Sequence, residues 1–171
     1  ESVSALFVTS EQVYFIKRQD YLPVFPGYYA TPGGKVDKTD PETMIEQIKL
    51  PKDISYKILH AMIREVKEEL GFDVLLGLQN KTVLSIDYIG LAITPEFNPY
   101  RFKNYYFKIT LKDPIHFTVD ENEVEFGEWN TPINLLKKYQ EGHVLAVPPA
   151  VVLLKTFANK LDHNTPINMT L

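Results

Sequence analysis

The residue types and spacing most able to do chemistry lie in Arg64-Glu65-Val66-Lys67-Glu68-Glu69-Leu70-Gly71. On a helix turning about 100° per residue, Glu65 set at zero puts Glu68 near 300° and Glu69 near 40°, an arc of roughly 100°. Leu59, Met62, Ile63, Val66 and Leu70 fall at about 60° to 160°, so the apolar stripe meets a core and the glutamates face elsewhere. Like-charged neighbours at this spacing cost a few tenths of a kcal/mol each, and solvated helices without function carry such faces too. The surroundings add a reason for the cluster: Arg64 immediately precedes it, and a Pro32-Gly33-Gly34 turn lies upstream. Clustered carboxylates suit a hard divalent cation such as Mg²⁺, with Mn²⁺ as its substitute, which takes oxygen ligands and grips substrate phosphates. Such an ion offsets phosphate charge and acidifies a bound water. The residues alone therefore point to a magnesium-dependent phosphate site.

The elements that must hold these residues are readable from periodicity. The best helix spans about 54 to 70, with Gly71 where a C-terminal cap belongs. Before it come two short strands, 4–9 and 12–17, and a loop punctuated by Pro23, Pro26, Gly27, Pro32, Gly33 and Gly34. Residues 41–50 read as a short helix, opened by Asp40-Pro41 and stopped by Pro51. Three aromatic and β-branched stretches, 82–93, 104–111 and 124–129, read as strands of a mixed sheet. Residues 133–141 and 148–160 read as helices. The irregular alternation predicts an α/β or α+β layered fold.

Composition narrows the function further. The 171 residues make one domain, 1–171, and 44% hydrophobic with 23% charged residues is ordinary for a globular chain. The absence of cysteine excludes disulfides, a thiolate nucleophile and zinc–cysteine sites. A formal charge of −4 argues against a nucleic-acid partner, and no apolar run reaches the ~20 residues of a membrane span. The expectations are no nucleic acid, no membrane and a cytoplasmic location. The chain starts at Glu1 rather than Met, which reads as a processed or trimmed piece and is compatible with a removed targeting segment.

Gly33-Gly34-Lys-Val-Asp37 with Arg64-Glu-Val-Lys-Glu-Glu-Leu-Gly71 resembles the Nudix box, G-x5-E-x7-R-E-U-x-E-E-x-G-U. The second half matches at every specified position, and Phe72 supplies the final apolar residue. The first half departs: Asp40 stands where the box has Glu, and about sixteen extra residues precede Arg64. That interruption, with G-G-x-x-D-x-x-D over Gly33 to Asp40, is similar to a coenzyme A diphosphatase branch of the superfamily. Thr94-Pro95, Arg101-Phe102-Lys-Asn-Tyr-Tyr-Phe107, Glu128-Trp129-Asn-Thr-Pro132 and Leu145-Ala-Val-Pro-Pro149 extend the likeness over roughly residues 5–158. The spaced arginine pair that goes with coenzyme A has no clear counterpart; Lys17-Arg18 and Thr31-Pro32-Gly33-Gly34 stand there.

The resemblance implies an α/β/α sandwich acting on a nucleotide-type small-molecule substrate. It would hydrolyse the pyrophosphate of a nucleoside diphosphate linked to another moiety, coenzyme A-like substrates first. ADP-ribose, nucleotide sugars and dinucleoside polyphosphates are the alternatives. It implies that Glu68 and Glu69 ligate the metal, that Glu65 is a third ligand or a proton acceptor, and that the Gly34 carbonyl approaches the ion. Arg64 would hold the carboxylates through hydrogen bonds. Asp37 and Asp40 bind metal through water or cap the following helix, the cap being the preferred reading for Asp40. A further acidic residue comes from Glu121, Glu123 or Glu125, with Glu123 favoured. His60, His116, His143 and His163 sit in no motif, so no histidine base is expected. Arg18 and Arg101 are candidates to meet phosphate, and Tyr28, Tyr29, Tyr88, Tyr100 and Phe102 to stack on the nucleotide. Trp129 is expected to pack a strand-to-helix junction. The insertion of about 41–58, with Met44, Ile45 and Ile48, covers one flank of the site or builds a homodimer. Two rivals of other classes are a nucleotide sensor without turnover and an interaction domain of a longer protein.

Overall fold

Val3, Ala5 and Phe7 join one buried cluster while Leu6 and Val8 join another. A strand apolar on both faces has to lie inside a sheet covered on both sides. The computed structural model, which describes residues 1–96, 101–160 and 167–170, shows this arrangement. Tyr100 and His163 lie outside those residues. In chain order the described strands are β1 (Ser2–Val8), β2 (Val13–Arg18), β3 (Tyr29–Ala30), β4 (Gly33–Lys35), β5 (Val83–Ile93), β6 (Lys103–Leu111), β7 (Val124–Asn130) and β8 (Ile167–Thr170). They form one mixed sheet in the order β3-β2-β1-β6-β5-β8, with β4 paired to β1 and β7 to β2. The β1–β6 and β5–β8 pairs are parallel and the rest antiparallel.

The helices are α1 (Tyr56–Leu70), α2 (Val74–Gln79), α3 (Pro132–Gln140) and α4 (Pro148–Asn159). Leu59, Met62, Val66 and Leu70 of α1 pack on one face of the sheet with Val3, Phe7 and Phe107. Leu135 of α3 and Leu153, Leu154 and Phe157 of α4 cover the other face. The result is the expected α/β/α sandwich. Ser55 caps α1 by accepting from the Lys57 amide, and the Gly71 amide, in the left-handed region at φ 63°, donates to the Lys67 carbonyl.

Residues 41–50 form no helix; a turn at 46–47 interrupts an irregular run. A ten-residue helix is marginal without an apolar face to bury, and only Ile45, Ile48 and Leu50 reach the core here. Asp40 has another use, described below. Ile48 and Ile54 dock beside Ile58, the Tyr56 hydroxyl donates to the Ile48 carbonyl, and Met44 is exposed. Trp129 does not pack the strand-to-helix junction: its indole N–H donates to the Ile115 carbonyl at 2.8 Å, and its ring stacks on Phe117 in the cluster under α1. The short helix α2, opened by Asp73 accepting from the Leu76 amide, was not predicted.

Candidate active site

β4 is the strand that brings backbone to the glutamate helix. Gly33 and Gly34 pair with Ser4 and Val3 of β1. A side chain at 33 would strike the Val3 carbonyl, and one at 34 would overlap the Glu65 carboxylate. Only glycine allows this approach. Gly34→Ala should displace Glu65 and cut activity at least tenfold with little loss of thermal stability. Parallel assays of turnover and melting check this, and unchanged turnover would separate Gly34 from the site.

Glu69, at the wheel position next to Met62, does not face solvent as the helical wheel implied. It is only 4% exposed, and the Gly33 N–H donates to its Oε2 at 2.7 Å. Burial pushes its carboxyl up to about 8; Glu123 and Glu65 add to the rise, while the Gly33 amide and Arg18 oppose it. This carries a sign for stability. The folded chain keeps the Glu69 proton to about pH 8, whereas the unfolded chain releases it near the ordinary 4.5. The folded state therefore binds more protons between those values, and stability falls as pH rises through them, by up to about 1.4 kcal/mol per pH unit. In cation-free buffer Glu69→Gln should lose that part of the slope, and equal pH dependence of the two melting curves would contradict it.

Arg64 is the hub of the cluster. Its Nε and one terminal nitrogen hold the two oxygens of Asp40 at 2.8 and 3.1 Å, and the same nitrogen donates to the Lys35 carbonyl at 2.8 Å. The other terminal nitrogen donates to Glu65 at 2.8 Å and Glu68 at 3.1 Å. Asp40 is buried and does not cap a helix; it accepts from Arg64 and from the Asp37 amide, and Arg64 holds its carboxyl below the usual range. Burial raises the Glu65 carboxyl against the pull of Arg64. Glu68 is the exposed member of the set, its side chain 59% accessible.

Glu123 lies in the turn just before β7, and its charge is felt at both Glu65 and Glu69. The Asp120 amide donates to the Glu69 carbonyl at 2.7 Å, which docks this turn on the end of α1. Glu121 and Glu123 are both exposed, and Glu125 is paired with Lys17. Arg18 acts on Glu69 and donates from Nε to the Val24 carbonyl. Tyr29 is not brought to the glutamates: it is buried in the α4-side cluster against Phe126, with its hydroxyl pushed up to about 12 by burial and Glu128. Arg101 faces Glu96 at 3.9 Å, and Phe102 pairs with Thr94 through its amide, contacts local to the β5–β6 connection. Tyr88 packs on Phe107 in the core, and Tyr28 lies against Phe25. His60 meets Thr43 of the insertion.

Among the described residues no three or more His, Cys, Asp or Glu converge as a ready cation cage, since Arg64 engages Glu65 and Glu68. The donor set nevertheless fits a hard divalent ion: carboxylate oxygens on one helix face, a backbone strand admitted by Gly34, and a buried Glu69 that such an ion would allow to ionise.

A family model, the NUDIX domain, matches residues 1–148. The chain belongs to the Nudix family. Its fold is that of solved Nudix structures: a NUDIX hydrolase from Alicyclobacillus acidocaldarius superposes with a TM-score of 0.76 at 17% identity, covering 92% of this chain and 90% of that one. The NUDIX domain of NrtR from Shewanella oneidensis, solved with ADP ribose, gives 0.64 at 13% identity, covering 94% and 86%. An Ap4A hydrolase from C. elegans gives 0.57 at 14% identity, covering 94% and 98%. No curated protein matches the chain. Membership makes this chain a Nudix pyrophosphohydrolase. Among the described residues no helix is long and apolar enough to cross a membrane.

Proposed function

We propose that this Nudix enzyme hydrolyses the pyrophosphate bond of a nucleoside diphosphate carrying a second moiety, with coenzyme A-like molecules the first choice of substrate. The observation that carries the reading is the junction of β4 and α1, where Gly33 and Gly34 press backbone onto Glu69 and Glu65 under the hold of Arg64. Glu65, Glu68, Glu69 and the Gly34 carbonyl would hold Mg²⁺ or Mn²⁺. When bound, the cation supplies positive charge to the pyrophosphate oxygens and acidifies a water. Glu123, on the flank of Glu65 and Glu69, takes the proton from the attacking water, which adds to one phosphorus as the phosphoanhydride oxygen leaves. Arg64 keeps Glu65 and Glu68 aimed and is itself fixed by Asp40. Arg18, whose charge is felt at Glu69, would meet a substrate phosphate.

The interrupted box and the Pro148-Pro149 segment favour coenzyme A-type diphosphates. ADP-ribose is the second reading, favoured by a structural neighbour solved with that ligand. Incubation with coenzyme A, ADP-ribose, nucleotide sugars, NADH and diadenosine polyphosphates in Mg²⁺, with products weighed by mass spectrometry, tests both. Scission of coenzyme A between its two phosphorus atoms supports the first choice. Turnover of ADP-ribose alone replaces it with the second, and nucleotide binding with no product from any of them favours a sensor.

A further inference from the structure

Glu123 sits in a turn held at two ends, and the second hold was not visible in any motif. At one end the turn folds on itself: Asp120 accepts from the amide and side chain of Asn122 at 3.0 and 2.8 Å, and its carbonyl accepts from the Glu123 and Val124 amides. Its own amide ties it to the Glu69 carbonyl. At the other end stands Gln19, half-buried just past β2. The Gln19 amide donates to the Glu123 carbonyl at 2.9 Å. Its side-chain Nε2 donates to the Glu121 carbonyl at 2.8 Å and to the Val124 carbonyl at 3.4 Å. Thus one residue reaches the backbone of Glu123 and of positions on either side of it. Two residues on, the Tyr21 hydroxyl donates to the Asn122 carbonyl at 2.6 Å. The Gln19 carbonyl in turn accepts from Leu22 and Gly27, which locks the donor loop itself.

We infer that Gln19, backed by Tyr21, is a positioning residue that sets the Glu123 carboxylate against Glu65 and Glu69. The inference rests on the proposed role of Glu123. Three donor groups, the Gln19 backbone amide, its Nε2 and the Tyr21 hydroxyl, reach four consecutive carbonyls, 121 to 124, and fix where the turn starts, ends and points. A carboxylate that must work beside two others is pushed outward by their charge, and backbone hydrogen bonds are what resist that push. Without the Gln19 side-chain carboxamide the turn keeps its Asp120 staple and the backbone bond from position 19 to the Glu123 carbonyl. It loses the ties at Glu121 and Val124, so the exposed Glu123 side chain is held less closely to Glu65 and Glu69. A carboxylate facing the site also adds to the attraction for a divalent cation whether or not it ligates one.

The test is a double-mutant cycle on the full chain, Gln19→Ala with Glu123→Gln, read by kcat, KM and Mn²⁺ affinity. Gln19→Ala alone should lower kcat about tenfold at unchanged KM and weaken Mn²⁺ binding a few-fold. On the Glu123→Gln background the same substitution should change none of these. Gln19→Met, which keeps the volume and loses the donor, should repeat the result if the alanine variant folds poorly. Losses that multiply in the double variant, or a Gln19→Ala protein with parental kcat and Mn²⁺ affinity, would overturn the inference. If the parent hydrolyses no diphosphate the proposed function fails, and the Mn²⁺ affinities still decide the placement of Glu123.

Discussion

Glu68→Gln should fold like the parent and lose its divalent-dependent hydrolysis by about a thousandfold or more. The two halves of this expectation have separate causes. Glu68 is the exposed carboxylate of the set, with an accessible side chain and one shared contact to Arg64 at 3.1 Å. Exposed substitutions of this kind usually change stability within about 0.5 kcal/mol, and Arg64 keeps Asp40 and Glu65. The amide is nearly isosteric, but it removes a full negative charge from a cation site in which the other carboxylates are partly or fully buried. Phosphate release from a nucleoside diphosphate in Mg²⁺, beside a thermal melt, reads both. An active variant would remove Glu68 from the chemistry.

Arg64→Met should instead be a folding lesion, costing about 3–5 kcal/mol in denaturant unfolding near neutral pH. Asp40 has a side chain only 3% accessible and depends on two Arg64 nitrogens for its charge. Removing one partner of such a pair leaves a buried, uncompensated carboxylate, and that penalty exceeds the worth of the pair itself. Adding Asp40→Leu should restore most of the loss, because neither charge is then left buried, while hydrolysis stays low since Glu65 and Glu68 lack their common donor. A single variant that costs under about 1 kcal/mol would make the Arg64–Asp40 contact an ordinary surface ion pair.

These two residues also show what the sequence could and could not reveal. The helix and its glutamates were legible because periodicity, the Ser55 cap and the Gly71 stop act within a few residues of one another. Strands β1, β2, β5, β6 and β7 and helices α3 and α4 came through for the same reason, each within a residue or two of its boundary. By contrast, β3 and β4 fall in the stretch read as a loop, and β8 in the one read as a tail, 161–171. Asp40 was misread because Asp-Pro is a strong local cap signal, and its real partner lies twenty-four positions away across the insertion. Glu69 was misjudged because 40° on a wheel is a border, and only the arrival of β4 decides that this border is covered. Tyr29 alternates along an edge strand and could have faced either layer; its pairing with Lys17 put it on the α4 side. Gln19 had no signal at all, since its role consists of backbone carbonyls about a hundred positions distant.

The claim on which all this turns is that the β4–α1 junction captures a divalent cation. A crystal structure in Mn²⁺, with data collected for the anomalous signal of manganese, tests it directly. A peak is expected within coordination distance of Glu68, Glu69 and the Gly34 carbonyl, with Arg64 still on Asp40. A clean map there, Glu69 keeping only its Gly33 hydrogen bond and Glu68 turned to solvent, would contradict it.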